Sequence, residues 1–464
     1  MSYPWIPNSS DEIVKEMLKT IGVSSIDDLY TDLPKELVID ERRWNSLRIG
    51  LGRPLSEVEV SRIVNSELNK VVQLRIPPFA GGGLKPHYVP PTVRYLVERG
   101  EFLTAYTPYQ PEISQGLLQA LFEYQSLMAD LFDMDVVNAS MYDWASSLGE
   151  AALMSVRVKG VKRVVVPEVI NPFHLSSLRA YTWPQGIEVD TYRISPDTGY
   201  ADLEDLKEKL SKGASALYIE YPYTFTGVVD ANAKAMAEIA HDSKALAIVG
   251  ADPIAVALYK SPGELGADIT VSDGQQLGLG LFAGGATVGV LGVRWDGELI
   301  KQMPGRIIGL TTTKDGRGRA FSMILQTREQ HIRRSKATSN ITTNSSLNAI
   351  AVAIYVSLLG PKGIRELAEA MWYRAHYASE MLSKVPHFSL PFKGEFFSDF
   401  IIDVSSVNYY DAWRQLLRDG IMAGIPISRY VSWARPTWGL LGFSELHSKD
   451  DINELVSKLK EVSP

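Results

Sequence analysis

LAIVGADPIAVALYKSPGELGADITVSDGQQ, residues 246–276, decides the fold. Two short apolar runs, 246–250 and 269–271, are separated by a stretch bearing proline and glycine. Neither run alternates polar with apolar, so each reads as a strand covered on both faces. Working outward, comparable β-rich runs fall at 163–166, 187–192, 216–220 and 286–293. Helical stretches lie between them. One, 202–210, turns Leu203, Leu206 and Leu210 inward; another, 230–241, has Asp230 as a fitting N-cap. Strands alternating with helices describe an α/β domain with a mostly parallel sheet, in which ligands bind beyond the carboxyl ends of the strands.

The flanks differ from this centre. Residues 9–70 read as short helices, with Ser9 or Ser10 capping the first, Ser24 or Ser25 the second, and a third stretch at 56–74 carrying Val58, Ile63, Val64 and Leu68. Pro77, Pro78 and the glycines at 81–83 deny both helix and strand, and read as an ordered connection or arm. A helix from about 115 carries Leu117, Leu118, Leu121, Phe122, Met128 and Leu131. Beyond 340 come a long helical region to about Leu382, a strand at 396–404 and a terminal helix. Ser448 and Asp451 form a capping box for that last helix, with Ile452, Leu455, Val456 and Leu459 on one face. The expected division is a helical segment and arm at 1–114, a large α/β domain at 115–340 and a small α+β domain at 341–464.

Of the 464 residues, 45% are hydrophobic and 22% charged, an ordinary globular balance that excludes disorder as a global description. The net charge of −7, without a basic stripe, argues against nucleic acid as a partner. With no cysteine there is no disulfide framework and no thiolate chemistry. The seven histidines show no metal-ligand spacing, so no metal site is expected. The glycine-rich 278–285 lacks a Walker lysine. The N-terminus does not resemble a signal peptide, and no apolar run approaches the ~18 residues of a membrane span. A soluble, cytoplasmic protein without a membrane partner is the expectation.

Asp252 directly follows the run 246–250. Enzymes using pyridoxal phosphate (PLP) on the aspartate-aminotransferase fold place there the carboxylate that keeps the pyridinium nitrogen protonated; the other reading is an Asp opening a turn before proline. In that fold the next strand ends at the lysine that forms the internal aldimine. Here 269–271 runs into Ser272, Asp273, Gly274, Gln275 and Gln276, and an amide cannot form a Schiff base. The one lysine between Asp252 and Lys301, Lys260, precedes the strand and lies at the wrong end.

Three further segments carry possible chemistry. Tyr106, Thr107, Tyr109, Gln110 and Glu112 lie in a proline-stiffened stretch, either a rigid capped turn or a polar binding wall. Ser146 and Ser147 open a helix, as an ordinary cap or as a phosphate cradle. Arg328, His331, Arg333 and Arg334 form either a solvated helix face or an anion-binding or docking surface.

The segments TAYTPYQPEISQG (104–116), ALFEYQ (120–125), ADPIA (251–255), PGELGADI (262–269), MPGR (303–306) and QTREQHIRR (326–334) carry a family likeness. So do NAS at 138–140 with Tyr142 and Asp143, and the DGQ turn at 273–275. The chain resembles the alpha subunits of the two-subunit glycine dehydrogenase (decarboxylating), the P-protein family of glycine cleavage systems. The resemblance implies a fold type I, aspartate-aminotransferase-like PLP-transferase architecture. It implies an oxidoreductase subunit inactive alone, with Gln275 in place of the Schiff-base lysine. PLP would be held covalently by a beta subunit, in an α2β2 assembly, and not by this chain. The reaction implied is glycine decarboxylation with aminomethyl transfer to the lipoyl group of H-protein. Tyr106, Thr107, Tyr109, Gln110 and Glu112 would border the shared active site. Asp252, Ser146, Ser147 and Gln275 would form a vestigial cofactor pocket, and Arg328, His331, Arg333 and Arg334 an interface or lipoyl-entry surface. Trp144, 278–289 and 81–85 depart from the family pattern. The rival readings are a complete PLP enzyme using Lys260 and a scaffold protein outside glycine cleavage.

Overall fold

The computed structural model describes residues 5–47, 50, 53–285 and 287–462, except the side chains of Glu41 and Thr327. The chain forms two compact units, Met1–Val71 and Val72–Pro464. The first holds helices Asp11–Ile21, Glu41–Ser46 and Glu57–Leu68. Ser10 caps the first, and Ser56 with Glu59 forms a full capping box on the third. Ser25 caps the expected second helix, which is only a short 3-10 turn, Asp27–Tyr30: the Ser25 Oγ accepts the Asp28 N–H (3.3 Å), and the Asp28 carboxylate accepts the N–H groups of both Ser24 and Ser25.

The second unit is built on a seven-stranded sheet: Val136–Val137 (β1), Arg163–Pro167 (β2), Glu188–Tyr192 (β3), Ala216–Tyr221 (β4), Leu246–Ala251 (β5), Ile269–Asp273 (β6) and Gly289–Val293 (β7). Their order is β1-β7-β6-β5-β4-β2-β3, and β7 alone runs opposite to the other six. The period of two divides each strand between two cores. Leu217, Ile219, Ala247 and Val249 face one cluster, with Leu118, Leu121, Tyr124 and Met128 from helix Gln115–Phe132. Ala216, Tyr218, Leu246 and Ile248 face the other, with Trp144, Leu148 and Ala151 from helix Trp144–Lys159. Both faces are covered, as a parallel sheet requires.

Some boundaries differ from expectation. Helix Ala233–Asp242 starts after Asn232, not at Asp230. The buried Asp230 carboxylate accepts from the N–H groups of Ala201 (2.6 Å) and Asn232 (2.8 Å) and from the Tyr223 hydroxyl (2.8 Å), so tertiary donors displace the capping role. Strand β7 begins at Gly289, and Ala286, where a strand was expected to start, lies outside the described residues. A hairpin, Ile307–Thr312 (β8) with Arg319–Ile324 (β9), was not foreseen.

A small antiparallel sheet follows, Phe388–Ser389 (β10), Asp399–Val404 (β11) and Trp438–Gly442 (β12), closed by helix Lys449–Glu461 with the expected Ser448–Asp451 capping box. Helix Ser346–Ser383 is long and apolar enough to cross a membrane by length and composition. It is interrupted at Gly360 (φ 62°) before Pro361, and Ala349, Ile350, Val352 and Tyr355 bury into the sheet's core.

Candidate functional site

The carboxyl ends of β4, β5 and β6 converge with the start of helix Trp144–Lys159 and the segment 79–88. Asp252, just after β5, is buried. Its Oδ1 accepts from the N–H groups of Ile254 (2.9 Å) and Ala255 (3.0 Å), and its Oδ2 from the Gln276 amide (2.7 Å). The same oxygen faces the Lys85 ammonium at 3.5 Å, and Lys85 reaches Asp399 on β11 at 3.1 Å. Lys85 is only 3% exposed, so these carboxylates set its charge. Burial opposes the ammonium, but the attraction of Asp399 and Asp252 outweighs it and raises its pKa above the ordinary lysine value. Burial also pushes both carboxyls up. At Asp252 the pull of Lys85 and three hydrogen bonds wins and the pKa falls; at Asp399 burial wins and it rises.

Gln275 is buried where a Schiff-base lysine was sought. Its Nε2 donates to the carbonyls of Lys85 (3.0 Å) and Leu279 (3.2 Å), and its Oε1 accepts from the Lys85 N–H (3.2 Å). Gln276 Oε1 lies 3.1 Å from His87 Nε2, whose Nδ1 meets Glu445 at 2.8 Å. The amide pair after β6 thus holds the arm in place. The glycines make its path possible: a Cβ on Gly81 would run into the Asp399 carboxylate, and Gly82 adopts φ 83°. Lys260, the nearest lysine to Gln275 along the chain, is exposed. The lysine that reaches Asp252 comes from 167 residues upstream.

Ser146 and Ser147 sit one turn inside their helix, which begins at Trp144 with Asp143 as its N-cap. The Asp143 carboxylate accepts the Ser146 N–H (2.6 Å), Ser146 Oγ accepts the Asp143 N–H (3.1 Å), and Ser147 Oγ donates to the Asp143 carbonyl (2.7 Å). The hydroxyls are spent on their own cap, and a carboxylate sits at the positive helix end. Trp144 is 3% exposed. Its indole N–H donates to the Tyr218 hydroxyl (3.1 Å) and its ring lies 5.1 Å from that of His174. A Cβ on Gly250 would meet the indole at 2.9 Å, so this ring packs against the end of β5. Burial lowers the pKa of His174 to about 3, which makes the imidazole neutral.

A PLP bound here would need its ring nitrogen at Asp252, its ring over these strand ends, its phosphate at the helix start and its aldehyde on an amine. Lys85 takes the first place, Trp144 the second and Asp143 the third, while residue 275 offers an amide. The cavity beside Asp252 measures ≈ 10 Å³. The residues of this pocket do not fit the cofactor. A larger cleft next to it, ≈ 730 Å³, is lined by Gly82, Asp143, Trp144, His174, Phe225 and Asp273 among others, with no lysine or arginine among its described lining residues.

A second group lies around Arg306, in the MPGR segment, a residue that no local sequence pattern marks as functional. Its guanidinium donates to the Tyr109 hydroxyl (3.0 Å), the Thr342 carbonyl (2.8 Å) and Asn344 (3.1 Å), and approaches Glu329 at 3.6 Å. Glu329 also faces His331 at 3.5 Å, and the His331 and Tyr109 rings lie 5.5 Å apart. The structure therefore brings Tyr109 and His331 together. Arg328 is turned inward, donating to the carbonyls of Met303, Gly305 and Leu325; burial lowers its pKa to about 10. Tyr106, Gln110, Glu112, Arg333 and Arg334 are exposed, and Thr107 is half-buried. Among the described residues no cluster of three or more side chains suits a metal ion.

A family model described as glycine cleavage system P-protein matches residues 4–459. The chain belongs to the glycine cleavage system P-protein family. Within that family it is similar, at 53% identity over 100% of this chain and 99% of the relative, to a protein of Aeropyrum pernix named probable glycine dehydrogenase (decarboxylating) subunit 1. It is also similar to a crystal structure of glycine decarboxylase (P-protein) of the glycine cleavage system in inhibitor-bound form: TM-score 0.83, 36% identity, full coverage of both chains. A C-DES mutant with glycine covalently linked to its PLP cofactor matches at TM-score 0.60 and 14% identity, over 85% of this chain and 98% of the other, and shares the fold alone. The P-protein fold here is that of the fold type I PLP-dependent transferases.

Proposed function

We propose that this P-protein chain is the non-catalytic alpha subunit of a glycine dehydrogenase (decarboxylating), working with a beta subunit that holds PLP covalently. The observation that carries this reading is Gln275: the second residue after β6 is an amide bound to the Lys85 main chain, with the Lys85 ammonium buried against Asp252. The likeness to a protein named subunit 1 supplies the partner, since such a name implies a second subunit. The assembled pair, an α2β2 complex in the cytoplasm, decarboxylates glycine and passes the aminomethyl group to the lipoyl arm of H-protein. Tyr109, backed by Arg306 and His331, and the exposed Tyr106, Gln110 and Glu112 are this chain's contribution to the shared site and its rim.

The test is reconstitution. The chain alone should show no aldimine absorbance with PLP and no glycine–bicarbonate exchange; mixed with its lysine-bearing partner it should support both. Exchange activity in the chain alone, or a partner subunit equally active without it, would refute the assignment. Lys260, the rival Schiff-base lysine, is exposed and follows the 3-10 turn Ala255–Ala257, away from the end of β6.

A further inference from the structure

We infer that Lys85 is an internal substitute for the ring cation of a cofactor: its ammonium fixes the vestigial pocket shut by joining the arm, the large sheet and the small sheet at one buried point. Asp252 is a buried carboxylate that, in a cofactor-binding pocket, faces a protonated ring nitrogen. Without a cation its burial is strongly destabilising. In this chain the compensating charge is supplied in cis, 3.5 Å away.

The ammonium does more than neutralise Asp252. It also meets Asp399 at 3.1 Å, a residue of β11 in the small sheet, so one cation ties two sheets together. The arm is held at the same point by main-chain bonds. Gln275 binds both the N–H and the carbonyl of Lys85, and the Gly82 N–H donates to Asp399 Oδ2 (3.0 Å). Nearby, the Trp144 indole packs over Gly250 near the end of β5, and the Asp143 carboxylate holds the helix start where an anion would bind; both border the ≈ 730 Å³ cleft. A subunit built this way keeps a single closed arrangement whether or not any cofactor is present. This inference concerns the chain's own stability and holds whichever reaction its assembly performs.

The test is chemical rescue on the full chain. Lys85→Ala should lower the thermal midpoint by about 4–6 °C. Ethylammonium chloride, small enough for the vacated channel, should restore most of that shift, and sodium chloride at equal ionic strength should not. In parallel, Lys85→Met should be rescued by adding Asp252→Asn and Asp399→Asn, because the loss comes from unpaired charge and not from missing methylenes. If Lys85→Ala yields no folded chain, this triple variant carries the test alone: a folded product supports the inference, and an unfolded one overturns it. An unchanged midpoint in Lys85→Ala, an equal response to both salts, or a triple variant no more stable than Lys85→Met would also overturn it.

Discussion

The amide of Gln275 grips the main chain of Lys85 at both of its polar groups, accepting its N–H at 3.2 Å and donating to its carbonyl at 3.0 Å. Two residues past β6, this side chain serves to anchor the arm. This anchoring governs what substitutions at the pocket will do.

Restoring a lysine should not restore chemistry. Gln275→Lys removes the hydrogen bonds to Lys85 and Leu279, which costs about 1–3 kcal/mol, and leaves Trp144 and Lys85 in the space a ring would need. Incubation with PLP should give no near-visible aldimine band and no borohydride-stable adduct at residue 275. Trapping of PLP at that lysine would show that the pocket opens more readily than its packing indicates.

Trp144 should behave as core. Its ring is buried between Tyr218, Gly250 and His174, so Trp144→Ala creates a cavity and leaves the Tyr218 hydroxyl without its donor. The expected loss is about 3–5 kcal/mol, read from the denaturant midpoint at unchanged slope. A loss below about 1 kcal/mol would mean the indole is not part of the packed site.

Glu220 gives a pH signature. It is fully buried on β4, and burial raises its pKa from 4.5 to about 7. The folded chain therefore holds this proton more tightly than the unfolded chain does. Its contribution is fully present below about pH 4.5 and is lost as pH rises towards and through about 7. Glu220→Gln, which retains an acceptor for the Thr224 N–H (2.8 Å in the parent), should flatten the fall in stability across that window. Parallel stability curves for the two proteins would show that Glu220 does not titrate there.

Tyr109 links the stiff segment 104–116 to Arg306. Tyr109→Phe removes one hydrogen bond to a guanidinium that keeps Thr342 and Asn344, so the chain should lose only about 0.5–1.5 kcal/mol. If Tyr109 borders the shared site, glycine decarboxylation by the reconstituted pair should fall further than that loss explains. Full activity in the assembled variant would remove Tyr109 from the site.

Much of the architecture was legible in the sequence because it rests on local patterns. Apolar runs such as 246–250 and 269–271 mark doubly covered strands, and Ser448 with Asp451 marks a helix start. Hairpin β8–β9 was missed because its strands are half exposed: Thr311, Thr312 and Arg319 dilute the apolar signal. Asp230 was assigned to a cap because the sequence shows a neighbouring helix and not the Ala201 N–H that reaches it from another loop. Trp144 was visible as a departure, but nothing local indicated that its ring would lie over Gly250.

The sequence by itself determined six of the sheet's seven strands, all but Val136–Val137, both helical layers and the absence of an amine after β6, since each depends on residue types at short spacing. Only the tertiary structure decided which charges meet at Asp252. Lys85, Asp252 and Asp399 are remote in the chain, and an ion pair between remote residues leaves no periodicity to read. Their meeting depends on the arm's glycines: a Cβ on Gly81 would run into the Asp399 carboxylate, and Gly82 and Gly83 take positive φ, constraints that appear only once the chain is folded.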